Sequence, residues 1–227
     1  MAADGSVLAR RYGAYLFDLD GTLVDSAPDI NGALNAALSA GGYPTVTVDL
    51  TRQWVGFGSR VLIEQALTYH HAADRLADTE HVQHLFSAFI GYYHDHIADA
   101  SRVYPGVEAT LQQLRERGAK LAVVTNKLEG LSVQLLEALR LAHYFGAIVG
   151  GDTLPQRKPD AAPAWHACRV IGCAPTDSLF VGDSKTDVDT ARAAGCPVVC
   201  LRDGYNHGTP ADQLGADAVI DSLIELL

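Results

Sequence analysis

Tyr15-Leu16-Phe17-Asp18-Leu19-Asp20-Gly21-Thr22 is a short apolar run that stops on two carboxylates, a glycine and a hydroxyl. A continuous apolar run of this length reads as a strand buried on both faces. The Asp-Gly-Thr that follows is turn chemistry, so the acidic pair sits where the strand ends. Three later segments share this layout, each ending or following a short apolar run: Val124-Thr125-Asn126, Lys158-Pro159, and Gly182-Asp183-Ser184 with Asp187.

The elements between these segments set the fold class. Ser26, with Pro28 two residues later, opens an amphipathic helix over 27–40 that stops at Gly41-Gly42. From there to about residue 100 only helical patterns and loops are found. Leu62, Ala66 and Leu67 share one face, as do Val82, Leu85, Phe86 and Phe89. After Pro105-Gly106 helices and strands alternate. Helices near 107–117, 128–139, 161–171 and 186–194 lead to strands at 120–124, 147–149, 179–181 and 198–201, and 218–220 reads as a last strand. Such alternation predicts an α/β protein with a parallel sheet core, helices on both faces and an inserted all-helical unit. The expected division is a core of residues 1–24 and 101–227 with a helical cap at 25–100.

Composition narrows the function classes. Of 227 residues, 48% are hydrophobic and 19% charged, as in an ordinary soluble globular protein, and the length suffices for one core plus an insertion. The net charge of −10 argues against general nucleic-acid binding, which needs a basic surface. No apolar run approaches the roughly 20 residues that span a bilayer, and residues 1–11 lack the ordered regions of a signal peptide. Cys168, Cys173, Cys196 and Cys200 form neither a CxxC pair nor a disulfide framework. They are expected as buried free thiols of a reduced, cytoplasmic protein.

In parallel sheets ligands bind beyond the carboxyl ends of the strands, so the four segments are expected to converge on one site. The residue types suit Mg²⁺-dependent phosphoryl transfer. A phosphate monoester dianion repels an anionic nucleophile, so attack by the Asp18 carboxylate needs positive charge nearby. Asp18 and Asp183 can share a Mg²⁺ ion, with the Asp20 carbonyl as a further ligand and Asp187 reaching it directly or through water. Asp187, four residues after Asp183, is placed on the same helix face. Lys158 neutralises charge on Asp18 and the transferring group. The Thr125 hydroxyl and the backbone at Asn126 bind the equatorial phosphoryl oxygens. Asp18 would form an aspartyl-phosphate, while Asp20, its pKa raised by partial burial, would first protonate the leaving oxygen and then deprotonate water.

With these motifs in place, the chain resembles the haloacid-dehalogenase-like hydrolase superfamily over nearly its whole length. The run at 18–26 looks like the first motif, and Thr125, Lys158 and the 182–187 segment fall where the later ones belong. The resemblance implies a Rossmann-like core, a mobile helical cap and Mg²⁺. An acid at position 20 is the mark of phosphatase and phosphomutase members and disfavours dehalogenation. Val124-Thr125-Asn126-Lys127, Gly150 to Pro155, Gly204 to Gly208 and Trp54 to Gly58 look like bacterial phosphoglycolate phosphatases. The departures are His207 where tyrosine is common and Ala161 where proline is usual. The resemblance implies hydrolysis of 2-phosphoglycolate to glycolate and phosphate by a monomer or homodimer. A beta-phosphoglucomutase-type mutase, another small-phosphoester phosphatase and a non-catalytic binding protein stand as alternatives.

Weaker signals remain. Gly56-Phe57-Gly58-Ser59 is read as a substrate-facing cap loop or as an ordinary helix start, and Arg60 as a partner for a substrate carboxylate or as a solvated side chain. His70, His71, His81, His84, His94 and His96 show no metal-ligand spacing. Tyr92 and Tyr93 read as packing residues, and Gly204 to Gly208 as a loop bordering the site.

Overall fold

Every residue of Ala14–Phe17 is buried, as a strand requires when it has neighbours on both sides. A computed structural model describes residues 6–227; residues 1–5, where the stretch without signal-peptide features begins, lie outside it. In chain order the elements are α1 (Ser6–Ala9), β1 (Ala14–Phe17), β2 (Val24–Asp25), α2 (Ala27–Ala40), α3 (Val48–Arg52), α4 (Ser59–Tyr69), α5 (Thr79–Asp95) and β3 (Arg102–Val103). They continue as α6 (Val107–Glu116), β4 (Lys120–Val124), α7 (Glu129–Ala138), β5 (Ala147–Val149), α8 (Ala162–Ile171), β6 (Ser178–Gly182), α9 (Lys185–Ala194), β7 (Val198–Leu201) and β8 (Ala218–Ile220).

Six strands form one parallel sheet in the order β5-β4-β1-β6-β7-β8. This is the doubly wound order in which winding reverses beside the first strand, and the crevice at that reversal is where ligands bind. The two-residue alternation of a strand divides the core. Tyr15, Phe17, Leu121, Val123, Leu179 and Val181 join one apolar cluster with Leu111 of α6 and Leu135 of α7. Ala14, Leu16, Ala122, Val124 and Phe180 join the other with Ala164 of α8 and Val188 of α9. Helices thus cover both faces, as the sequence predicts.

Between β2 and β3 the chain is helical throughout. Ile30, Leu34 and Leu38 of α2 and Val82, Leu85 and Phe89 of α5 are buried. Leaving and returning strands pair antiparallel, Val24 with Val103 and Asp25 with Arg102. Nothing in the sequence signals this ribbon, because two residues carry no periodicity. Ser26 occupies the N-cap of α2 but makes no capping hydrogen bond; its hydroxyl donates to Asp20 instead. Of the four free cysteines Cys173 is only half-buried, a departure from the expected burial. Among the described residues no helix is long and apolar enough to cross a membrane.

Buried Asp29 closes the return of the helical segment. Its carboxylate accepts hydrogen bonds from the backbone N–H groups of Ala100 and Ser101 at 2.7–3.1 Å and from the Ser101 hydroxyl at 2.7 Å. Removing it strands the two buried donors of Ser101 and the part-buried N–H of Ala100 beside β3. Asp29→Ala is expected to cost about 3 kcal/mol of stability in urea unfolding, and a loss below about 1 kcal/mol would show that water replaces the carboxylate.

Candidate active site

Asp18, Thr125 and Asp183 directly follow β1, β4 and β6, the three adjacent central strands. The Asp18 N–H donates to Val181 O and the Thr125 N–H to Val149 O, so ladder-type bonds continue into the site and fix the backbone there. Lys158 arrives in the loop after β5, and its Nζ lies 2.8 Å from Asp18 Oδ1 and 2.6 Å from Asp187 Oδ1. All three side chains are buried. The Lys158–Asp187 contact is a hydrogen bond, whereas Asp18 Oδ1 is in ion-pair contact off the hydrogen-bonding direction. Burial pushes the Asp18 carboxyl up to about 7; Lys158 opposes the shift and Asp187 adds to it. Burial also works against the Lys158 ammonium, but Asp18 and Asp187 outweigh it and hold its pKa above the ordinary value.

Asp187 reaches the site by a different route from the one predicted. Asp183 precedes α9, so the two carboxylates do not share a helix face. Asp187 is instead the third residue of a capping box: its Oδ2 accepts from the N–H groups of Asp183 and Ser184 and from the Ser184 hydroxyl. With Oδ1 on Lys158, every bond Asp187 makes holds another part of the site in place.

Asp183 accepts from the Thr22 hydroxyl at 2.8 Å and from the Tyr205 N–H. The Tyr205 hydroxyl bonds Asp25 and accepts the N–H of Ala27, so one residue of the 204–208 loop ties Asp183 to the start of α2. Burial, followed by Asp187 and Asp18, raises the Asp183 carboxyl well above its ordinary value. Asp18, Asp183 and Asp187 each present an oxygen within 4.8 Å of the others. Three crowded, buried carboxylates, two of them hard to ionise without a counter-charge, fit a hard divalent cation.

Asp20 faces the same cavity. Both its oxygens accept from Lys127 Nζ, at 2.9 and 3.1 Å, and Oδ1 also takes the Ser26 hydroxyl. Burial disfavours the Lys127 ammonium, but Asp20 more than offsets it and raises its pKa. The same Nζ stands 4.6 Å from the centre of the Tyr93 ring. Tyr93, read from the sequence as packing, is buried and lines the cavity with Ile30, Val55, Leu62 and Phe89. The cavity holds about 30 Å³, room for only a few waters.

The remaining site residues divide. Thr125 Oγ1 accepts the Lys127 N–H at 3.3 Å, leaving its own O–H free to donate. Asn126 Nδ2 is spent on the carbonyls of Gly56 and Lys158, so the donor it can offer a ligand is its backbone N–H, while its Oδ1 is a buried acceptor without a partner. Gly56 lines the cavity, as expected of a substrate-facing loop. Arg60 does not line it: its side chain is 51% exposed and lies 3.6 Å from Glu64, the solvated arrangement. Lys127, Ser26, Thr22 and Tyr205 are the contributors that the sequence reading left without a role. Their positions carried a signal: Thr22 and Ser26 lie in the 18–26 run, Lys127 adjoins Thr125-Asn126, and Tyr205 lies in the 204–208 loop read as bordering the site.

The chain belongs to the haloacid dehalogenase-like hydrolase family, whose model matches residues 15–201. Among its relatives, phosphoglycolate phosphatase 1 of Pseudomonas aeruginosa is 43% identical over 93% of this chain and 77% of its own length. The phosphoglycolate phosphatase of Chromobacterium violaceum is likewise 43% identical, with 94% of each chain covered. A crystal structure of a predicted phosphoglycolate phosphatase from Haemophilus somnus superposes with a TM-score of 0.88 at 36% identity, covering 96% of this chain and 97% of that one.

The raised carboxyls predict a pH signature in chelator. A carboxyl whose folded-state pKa lies above its unfolded one stabilises fully below the ordinary carboxylate range, and that stability is lost as pH rises through the folded value. For Asp18, near 7 when folded, the loss amounts to roughly 4 kcal/mol between about pH 4 and pH 8. Urea unfolding of the chelated protein across this range should show the decline, with a shallower slope in Asp18→Asn. Equal slopes would place the raised carboxyl elsewhere.

Proposed function

We propose that the chain is a Mg²⁺-dependent phosphatase of small phosphorylated metabolites, acting on 2-phosphoglycolate through an aspartyl-phosphate on Asp18. The observation that carries the reading is the placement of Asp18 and Asp20 on one small cavity, with Lys158 against the first and Lys127 against the second. Relatives named phosphoglycolate phosphatase, 43% identical over nearly the whole chain, support the choice of substrate.

In this reading an Asp18 oxygen attacks phosphorus, and the bond to the ester oxygen breaks as Asp20 protonates that oxygen. Water then attacks the phosphorus of the aspartyl-phosphate, giving its proton to Asp20 and releasing Asp18 and inorganic phosphate. Thr125 Oγ1 and the Asn126 N–H would hold the equatorial oxygens, and Lys158, kept in place by Asp187, would balance their charge. Asp18, Asp183 and Asp187, with the Asp20 carbonyl as a further ligand, would hold Mg²⁺, which would supply the charge that lets a carboxylate approach a phosphate dianion.

Residues 25–100 act as a cap over this core. The cavity in its present shape is too small for an ester, so the apolar wall from α2, α4 and α5 has to move for entry. Asn126 Nδ2 on Gly56 O, His207 Nδ1 2.9 Å from Gln53 O and the His207 ring stacked on Phe57 are among the contacts that such an opening breaks. Closure would exclude water during the first attack.

Phosphate release from a panel of small phosphoesters, with and without Mg²⁺, tests the reading. The expected result is Mg²⁺-dependent preference for 2-phosphoglycolate, lost by at least 10³-fold in a folded Asp18→Asn variant. Preference for another ester would retain the chemistry and discard the substrate, isomerised sugar phosphate would indicate a mutase, and turnover by Asp18→Asn would remove the nucleophile.

A further inference from the structure

Lys127 is the one cationic residue lining the cavity; Lys158 stands behind Asp18 and Arg60 lies outside. Its ammonium has a single carboxylate partner, Asp20, and otherwise faces the Tyr93 ring. Burying an ammonium is expensive, and one partner leaves part of its hydrogen-bonding capacity unused. Tyr93 adds a second unspent donor: the residue is 1% exposed, lines the cavity, and its hydroxyl has no hydrogen-bond partner. Ile30, Val55, Leu62 and Phe89 form the apolar side of the cavity, and Asp18, Asp20, Thr125 and Asn126 line the side at the strand ends. Two buried donors set against the apolar side suit an anionic or strongly polar group there, not a hydrocarbon.

We propose that Lys127 and Tyr93 receive the carboxylate of the leaving group and so determine specificity, selecting small phosphate esters of 2-hydroxy carboxylic acids over alkyl phosphates whose leaving group carries no charge. The proposal rests on the phosphatase reading above and names the chemistry by which that site recognises its substrate. The geometry follows from Asp20. To be protonated, the ester oxygen must come within hydrogen-bond reach of the Asp20 carboxylate, and Lys127 Nζ is already 2.9 Å from that carboxylate. A carboxylate one carbon from the ester oxygen then falls beside the ammonium. A neutral hydroxymethyl group in its place leaves Lys127 with Asp20 alone. The same ammonium would thus touch the acid and the substrate's second charge together.

The test compares kcat/KM for 2-phosphoglycolate and for 2-hydroxyethyl phosphate, its neutral analogue of similar size, in the Mg²⁺-loaded full-length protein. Lys127→Met should reduce the carboxylate substrate at least 100-fold and the neutral ester far less, collapsing the selectivity. Tyr93→Phe, which keeps the ring and removes only the hydroxyl, should lower the same ratio about 5- to 10-fold, so the outcome survives if Lys127→Met fails to fold. Equal loss on both esters would show that Lys127 only positions Asp20, and would overturn the proposal while leaving the phosphatase reading intact. A wild-type enzyme that does not prefer 2-phosphoglycolate would overturn the proposal and the choice of substrate together, while phosphate release from any ester would keep the phosphatase chemistry.

Discussion

Four carboxylates and two ammonium groups share one buried site, an imbalance of two negative charges in a medium that tolerates none. Most of the local structure answers this constraint. Asp187 is neutralised by Lys158 and enclosed by the capping box of α9, and Asp20 by Lys127 and Ser26. Asp183 is left to Thr22 and a backbone N–H, and Asp18 to a shared lysine. The two carboxyls given least are those whose ionisation is most strongly opposed. A divalent cation would cancel the deficit, and Asp18, Asp183 and Asp187, whose oxygens lie within reach of one another, are where it fits.

The sheet makes this concentration tolerable. Parallel strands fed by helices on both faces bring residues 18, 125 and 183 to neighbouring strand ends. Their side chains meet without any long loop needing to be ordered. The helical segment enters and leaves through one antiparallel ribbon, so its wall of Val55, Leu62, Phe89 and Tyr93 meets the strand ends as a single surface. Polar anchoring below and apolar enclosure above suit a reaction that needs strong local fields and little water.

The fold was legible because its signals are periodic. Helix 27–40 and strands 120–124, 147–149, 198–201 and 218–220 have the boundaries that the sequence predicts. The acidic and basic site residues were legible because strand ends are where such a sheet places its chemistry. What escaped was set by three-dimensional partnership. The Ser26 hydroxyl leaves its helix for Asp20, and Asp187 acts through a cap, not through helical spacing. Tyr93 resembles any core aromatic until Lys127, 34 positions away in the chain, is found over its ring. Arg60 had the right charge and neighbourhood, but its position on α4 turns it toward Glu64 and solvent.

Gly21, Gly182 and Gly204 lie against the carboxylates of the site. A methyl group at Gly21 or Gly204 would run into Asp183, and one at Gly182 into Asp187. Gly21 also holds a φ of +88°, a conformation L residues rarely adopt. None of the three carries a functional group, yet any side chain there displaces an acid that does. In a saturation mutagenesis scored by activity, these positions would be as intolerant as Asp18 itself. Intolerance across this site is therefore evidence of crowding as much as of chemistry, and only the stability of each variant separates the two.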